Sequence, residues 1–155
     1  MGVFNIFNKK QPEFFSSKEK ELIVAAIQAA EQQTSGEVRV YVESRCRFVD
    51  PLDRAMELFH SLKMYETKDR NAVLVYIAMK DRQLAIYGDE GIHQKVGSEF
   101  WKQEVKLMVQ DFNSKGYGEG IAHIVTEIGE ALTTHFPYNR STDKNELSDD
   151  IVFGQ

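Results

Sequence analysis

Asp89 and Glu90 are consecutive carboxylates held between Gly88 and Gly91 in the stretch IYGDEGI, residues 86–92. An apolar run ends at the first glycine and another begins after the second. Paired acids in that setting admit three readings: a solvated turn, a metal site or a catalytic pair. Gly-Asp-Glu-Gly is a good turn sequence in its own right. The same glycines permit positive φ and let backbone carbonyls turn inward. Calcium suits such a place, because it takes roughly 6–8 oxygen ligands in flexible geometry. The spacing is not that of an EF-hand, since Asp89 lacks oxygen ligands at the third and fifth loop positions. Zinc fits less well, because His60, His93, His123 and His135 show no paired ligand spacing.

Other chemistry-bearing residues give less. KGYGEG is glycine-rich before a helical pattern, which could invite a phosphate. It lacks the Gly-Lys-Ser/Thr ending of a nucleotide loop, follows a helix and not a strand, and reads as a turn plus helix start. His93, near a helix start, reads as a surface or half-buried histidine, with a role beside a metal as the alternative. Cys46 is the single cysteine, so no intramolecular disulfide and no cysteine-based zinc site can form. A cysteine phosphatase would need an arginine six residues on, where this chain has Leu52. No serine sits in an elbow motif. Trp101 and its aromatic neighbours read as core.

The elements that position these residues follow from periodicity. Ser16 with Glu19 forms a capping box, and Ile23, Ala26, Ile27 and Ala30 recur at helical spacing, so the first helix is expected over about 17–33. EVRVYVE alternates, with Val38, Val40 and Val42 on one face of a strand. Asp50 caps and Pro51 opens a second helix with an apolar stripe of Leu52, Ala55, Met56, Phe59 and Leu62. AVLVYIA, 72–78, is apolar throughout, as in a central strand covered on both faces. Only Lys80-Asp81-Arg82 separates it from QLAIY, which demands an antiparallel hairpin. Helical patterns at about 93–112 and 120–135 follow. The last twenty residues lose all periodicity and read as a disordered or loosely docked acidic tail.

A helix between the first two strands implies a right-handed crossover and a parallel pair. The fold class is therefore α/β, a three-layer α/β/α sandwich on a small mixed sheet with an antiparallel hairpin strand. One end of that sheet gathers Glu37, Glu66, Asp69, Asp89 and Glu90. The other gathers Glu43, Asp50, Asp53 and Asp81. Converging carboxylates stay solvated and apart, protonate in part, or recruit a cation.

The chain has 155 residues, a net charge of −5 and 42% hydrophobic residues. One domain is expected over 16–137, flanked by an N-terminal tail, 1–15, that is partly docked, and the acidic tail 138–155. The acidic balance disfavours nucleic acid and anionic membranes as partners. No secretory signal, myristoylation site or apolar run of about 18 residues is present, so the expected location is the cytoplasm.

TSGEVRVYVE, RNAVLVYIA, DRQLAIYGDEGI, the pair Phe100-Trp101, FNSKGYGEGI and FPYNRSTDKNELSDDI occur in that order. As an ordered set, over about residues 16–150, the chain resembles the TPM domain family in its short stand-alone bacterial form. The resemblance implies a Rossmann-like α/β/α sandwich. It implies divalent-metal binding, notably calcium with magnesium as an alternative, where loops cross at one edge of the sheet. A plant thylakoid relative is described as an acid phosphatase linked to photosystem II repair, and other relatives are membrane-anchored. By position, Asp89 is the first expected metal ligand, followed by Glu37, Asp69 and Glu90, then Glu66. Longer relatives carry an acid two residues after the second glycine; the matching position here is His93, a departure from that pattern. The expected function is a soluble divalent-metal-binding domain, with calcium as the metal, whose acidic loops become ordered on metal binding and which serves as a regulatory or partner-binding module, acting as a monomer. The alternative is a metal-assisted acid phosphatase, in which Lys68 and Arg70 read as ordinary solvated cations.

Overall fold

Backbone and side chains are given by a computed structural model that describes residues 14–48, 50–138 and 150–154. The first helix, α1 (Ser17–Glu31), starts where the capping box places it. Glu19 N–H donates to Ser16 Oγ at 3.1 Å, and Ser16 N–H donates to Glu19 Oε1 at 2.9 Å. Ile23, Ile27 and Ala30 form its buried stripe. In β1 (Glu37–Glu43), Val38, Val40 and Val42 are buried among residues of α1 and the later helices. The alternate residues Glu37, Arg39, Tyr41 and Glu43 therefore face the opposite layer.

That layer is α2 (Pro51–Ser61), capped by Asp50, whose Oδ1 accepts from Leu52 N–H at 2.9 Å. Its buried residues are Ala55, Leu58 and Phe59. Leu52 and Met56 of the expected stripe are instead 39% and 38% exposed. The helix packs on β2 and β3, and Leu58 takes the inward position.

β2 (Ala72–Ala78) is buried at every residue and pairs parallel with β1, Glu37 opposite Ala72. β3 (Gln83–Gly88) pairs antiparallel with β2, Val73 opposite Gly88. The expected long helix over 93–112 is two helices, α3 (Glu90–Val96) and α4 (Ser98–Ser114). Gly97 separates them with φ of +83°, a conformation that favours glycine. α5 (Tyr117–His135) starts three residues earlier than expected, directly after Gly116 at φ +90°.

The acidic tail corrects another expectation at its end. Val152–Phe153 form β4, parallel to β1, and give the sheet order β3-β2-β1-β4. Gly154 N–H donates to Val42 O at 2.6 Å, and Phe153 lies 6.4 Å from Phe15. Residues 139–149 of the tail and 1–13 of the N-terminal stretch lie outside the described residues. The architecture is thus three layers, with α2 on one face of a mixed sheet and α1, α4 and α5 on the other.

One buried acid stands in the α4–α5 interface. Glu104 is 7% exposed, and its Oε1 has no hydrogen-bond partner among the described residues. Burial first, then the nearby Glu127 carboxylate, pushes its carboxyl up from 4.5 to about 7. The folded chain therefore keeps a proton that the unfolded chain releases. Stability falls as pH rises from about 4.5 to about 7 and stays reduced above that window. Glu104→Gln is expected to raise stability at pH 8 by about 1–2 kcal/mol, with the gain vanishing below pH 4.5. Urea denaturation at the two pH values checks this.

Candidate cation site at the amino end of the parallel strands

The hairpin places the carboxyl end of β3 beside the amino end of β2, and backbone bonds lock the two together. Asp89 N–H donates to Ala72 O at 2.9 Å, and Gly91 N–H donates to Arg70 O at 2.8 Å. On the other side, Glu37 N–H donates to Asn71 O at 3.3 Å. Loop 65–71, the Gly-Asp-Glu-Gly stretch and the start of β1 therefore meet, as the topology requires.

Asp89 is 2% exposed, and both of its carboxylate oxygens are engaged. Oδ1 accepts from Glu90 N–H at 2.8 Å, which caps α3, and from Arg70 Nη2 at 2.9 Å. Oδ2 accepts from Arg70 Nε at 2.7 Å. This is the bidentate fork that makes Arg–carboxylate pairs strong. Hydrogen bonding to Asp89 raises the Arg70 guanidinium above its usual value. The guanidinium is 42% exposed, and its Nη1 lies 3.8 Å from Glu90 Oε1. Arg70 was expected to be a solvated loop cation; it is instead the partner of the first expected metal ligand.

The other expected ligands are distributed unevenly. Glu90 adjoins the pair, with its side chain 64% exposed. Asp69 precedes Arg70 and is exposed, and Glu66 is exposed in the same loop. Glu37 is 2% exposed, and Ala72 separates it from Asp89. Two strand spacings put their backbones roughly 10 Å apart. Among the described residues, no three His, Cys, Asp or Glu side chains stand together as a metal-holding group.

The donor chemistry nevertheless matches a hard cation. Every expected ligand offers oxygen. Asn71 Oδ1, at the same end of the sheet, is buried with no hydrogen-bond partner among the described residues. Gly91 has no side chain because the chain packs directly on it: a Cβ there would lie 2.0 Å from Asp69 O and 2.6 Å from Arg70 O. Calcium tolerates such a mixture of carboxylate and carbonyl oxygens; magnesium, with its near-octahedral demand, suits it less. Donor type fits, then, while the bidentate face of Asp89 is held by Arg70. His93 takes no part: it is exposed and accepts from Trp101 Nε1 at 3.0 Å.

The opposite end of the sheet carries a network that the sequence did not disclose. Glu43, 5% exposed, accepts from Arg54 Nε and Nη2, each at 2.9 Å, and from Tyr76 OH at 2.5 Å. Burial, then the bond to Glu43, drives the Tyr76 phenol well above its usual range. Asp81 accepts from Arg45 Nη1 at 3.1 Å and from Cys46 N–H at 2.7 Å. Above them lies an open cavity of about 910 Å³ whose lining includes Tyr41, Arg45, Cys46, Arg47, Phe48 and Arg54. Strand alternation places Glu43 on the α2 face, but only the fold brings Arg54 to it.

The TPM domain matches residues 9–131 of the chain. The solved structure of the BA42 protein from the psychrophilic bacterium Bizionia argentinensis is 39% identical, with a TM-score of 0.84 over 94% of this chain and 99% of that one. The N-terminal domain of cg2496 from Corynebacterium glutamicum is 18% identical, with a TM-score of 0.57 over 81% of this chain and 86% of that one. The N-terminal domain of a protein from P. gingivalis is 17% identical, with a TM-score of 0.62 over 81% of this chain and 83% of that one. These last two share the fold alone. No curated protein matches the chain.

The close backbone approach at Gly91 makes that glycine the structural test of this end of the sheet. Gly91→Ala must push the carbonyls of Asp69 and Arg70 aside. The expected loss is about 2–3 kcal/mol, read by urea denaturation. A near-neutral result would mean that the two loops are not packed as described.

Proposed function

The chain belongs to the TPM domain family, and from that premise we propose that it is a divalent-cation-binding module, with calcium as its cation. Asp89, Glu90 and Asp69 would hold the ion, with Glu37 and Glu66 as more distant acids. The observation that carries the reading is that the loops bearing Asp69, Asp89 and Glu90 are bonded to one another through their backbones at one end of the sheet, where Asn71 Oδ1 is also without a hydrogen-bond partner among the described residues. Bound calcium would add positive charge between loop 65–71 and the start of α3 and order their acidic side chains, and a partner protein would read that change.

A second reading, hydrolysis of phosphomonoesters, draws on the arginine-lined cavity at the other end. Arg45 and Arg47 are exposed groups that could meet a phosphate there, whereas Arg54 is held by Glu43 and Glu57. The distance between the ends decides against joining the two sites. Strands β1 and β2 have seven residues each, so the acidic loops and the cavity lie roughly 20 Å apart. A metal at Asp89 could not activate water on a phosphate held by these arginines. Binding is therefore the preferred reading. Among the described residues no helix is long and apolar enough to cross a membrane.

Calorimetric titration checks the first reading. Saturable calcium binding is expected in the wild type, at least tenfold weaker in Asp89→Asn and unchanged in Glu66→Gln. Calcium at 100 times its Kd should stabilise the wild type by about 2.7 kcal/mol. An aryl-phosphate assay checks the second. Turnover lost in Arg47→Ala yet kept in Asp89→Asn would favour hydrolysis at the cavity; no turnover above background is expected.

A further inference from the structure

We propose that the cavity at the carboxyl end of β1 binds a nucleoside monophosphate, with its phosphoryl group on Arg45 and Arg47 and its base against Phe48. The sheet order β3-β2-β1-β4 turns at β1. The chain leaves β1 through α2 to reach β2 on one side, and β4, reached through α5, lies on the other. Open α/β sheets take ligands in the crevice outside the carboxyl ends of their strands, where the strand order turns in this way. The cavity of about 910 Å³ opens at that point, between the end of β1, residues 44–48 and α2. Free phosphate would leave most of it empty; its size is that of a pocket for an organic ligand. Binding here needs neither calcium at Asp89 nor cleavage of the ester.

The lining sets the chemistry of the ligand. Its three carboxylates are all engaged: Glu43 by Arg54 and Tyr76, Glu57 by Arg54, and Asp81 by Arg45 Nη1 and Cys46 N–H. Arg45 is 69% exposed and meets Asp81 through that one nitrogen, so the rest of its fork is turned to solvent. Arg47 is exposed and forms no ion pair among the described residues. Two guanidiniums one residue apart can thus take one phosphoryl group through charge-assisted hydrogen bonds. The N-terminus of α2 offers no rival anion site, because Asp50 already accepts from Leu52 N–H there. Three arginines against three acids leave the lining without excess charge, which suits a monophosphate and gives a triphosphate no advantage. Phe48, 37% exposed, presents an aromatic ring to the same space, and a flat base can stack on it.

Cys46 lines the cavity and is the single cysteine, so its alkylation in the full chain reports whether the cavity is filled. Adenosine monophosphate is expected to slow the reaction of Cys46 with iodoacetamide saturably, and to shift the amide signals of residues 44–48 in NMR spectra; the second readout stands even where the thiol reacts slowly. Inorganic phosphate or adenosine alone should act at least tenfold more weakly, and Arg47→Ala should weaken the effect of the nucleotide about tenfold. Adenosine triphosphate should bind no more tightly than the monophosphate. Neither protection nor shifts at millimolar nucleotide, equal action of phosphate or adenosine alone, tighter binding of the triphosphate, or an undiminished effect in Arg47→Ala would each overturn the inference. None of these results bears on calcium binding at the other end of the sheet.

Discussion

The pair between Arg70 and Asp89 ties three elements at one point. Asp89 directly follows the hairpin strand, caps α3 through Glu90 N–H and holds Arg70, two residues before the central strand. It is buried, so its charge must be answered inside the fold. The hairpin register brings the loop near, Gly91 lets the backbones touch, and the guanidinium closes the contact. Without it, the amino end of the sheet would hold carboxylates with no cation from the chain among the described partners of Asp89.

The two ends of the sheet solve the same electrostatic problem differently. At the carboxyl end of β1, Glu43 is sealed by Arg54 and Tyr76 beneath the cavity, and Arg54 also reaches Glu57 at 2.5 Å. That carboxylate has donors on both oxygens and two buried or half-buried partners, so it acts as a structural tie. At the amino end, the arginine is more exposed and further acids stand close by. The first guanidinium is 22% exposed and the second 42%. The proposed cation site is at the end with the looser charge, although an open cavity lies at the other.

Much of the fold was legible because burial imposes a period. Val38, Val40 and Val42 alternate since β1 is covered unequally, and Ala72–Ala78 is uniformly apolar since β2 is enclosed on both faces. Ser16 and Asp50 mark helix starts through local hydrogen bonds that need no tertiary contact. The misses share a cause: they depend on what arrives from elsewhere in the chain. Gly118 and Gly120 read as turn residues but lie inside α5, where a Cβ would meet Glu19 or Phe112 at 2.6 Å. β4 is two residues long, too short for any period, and exists by pairing with the edge of β1. The five expected ligands were placed at the right end of the sheet by topology alone. Their individual environments were not legible, because burial of Asp89 and Glu37 and exposure of Asp69 and Glu66 are set by side-chain packing. Arg70 looks like any loop arginine until Asp89 is known to be buried.

Amide NMR of the wild type during a calcium titration tests the central claim most directly, since it reports binding and its place together. The account predicts saturable shifts concentrated at Lys68–Asn71 and Gly88–Ile92, with the cavity residues Ser44–Phe48 unchanged. Shifts centred on Ser44–Phe48, or none that saturate at millimolar calcium, would contradict it.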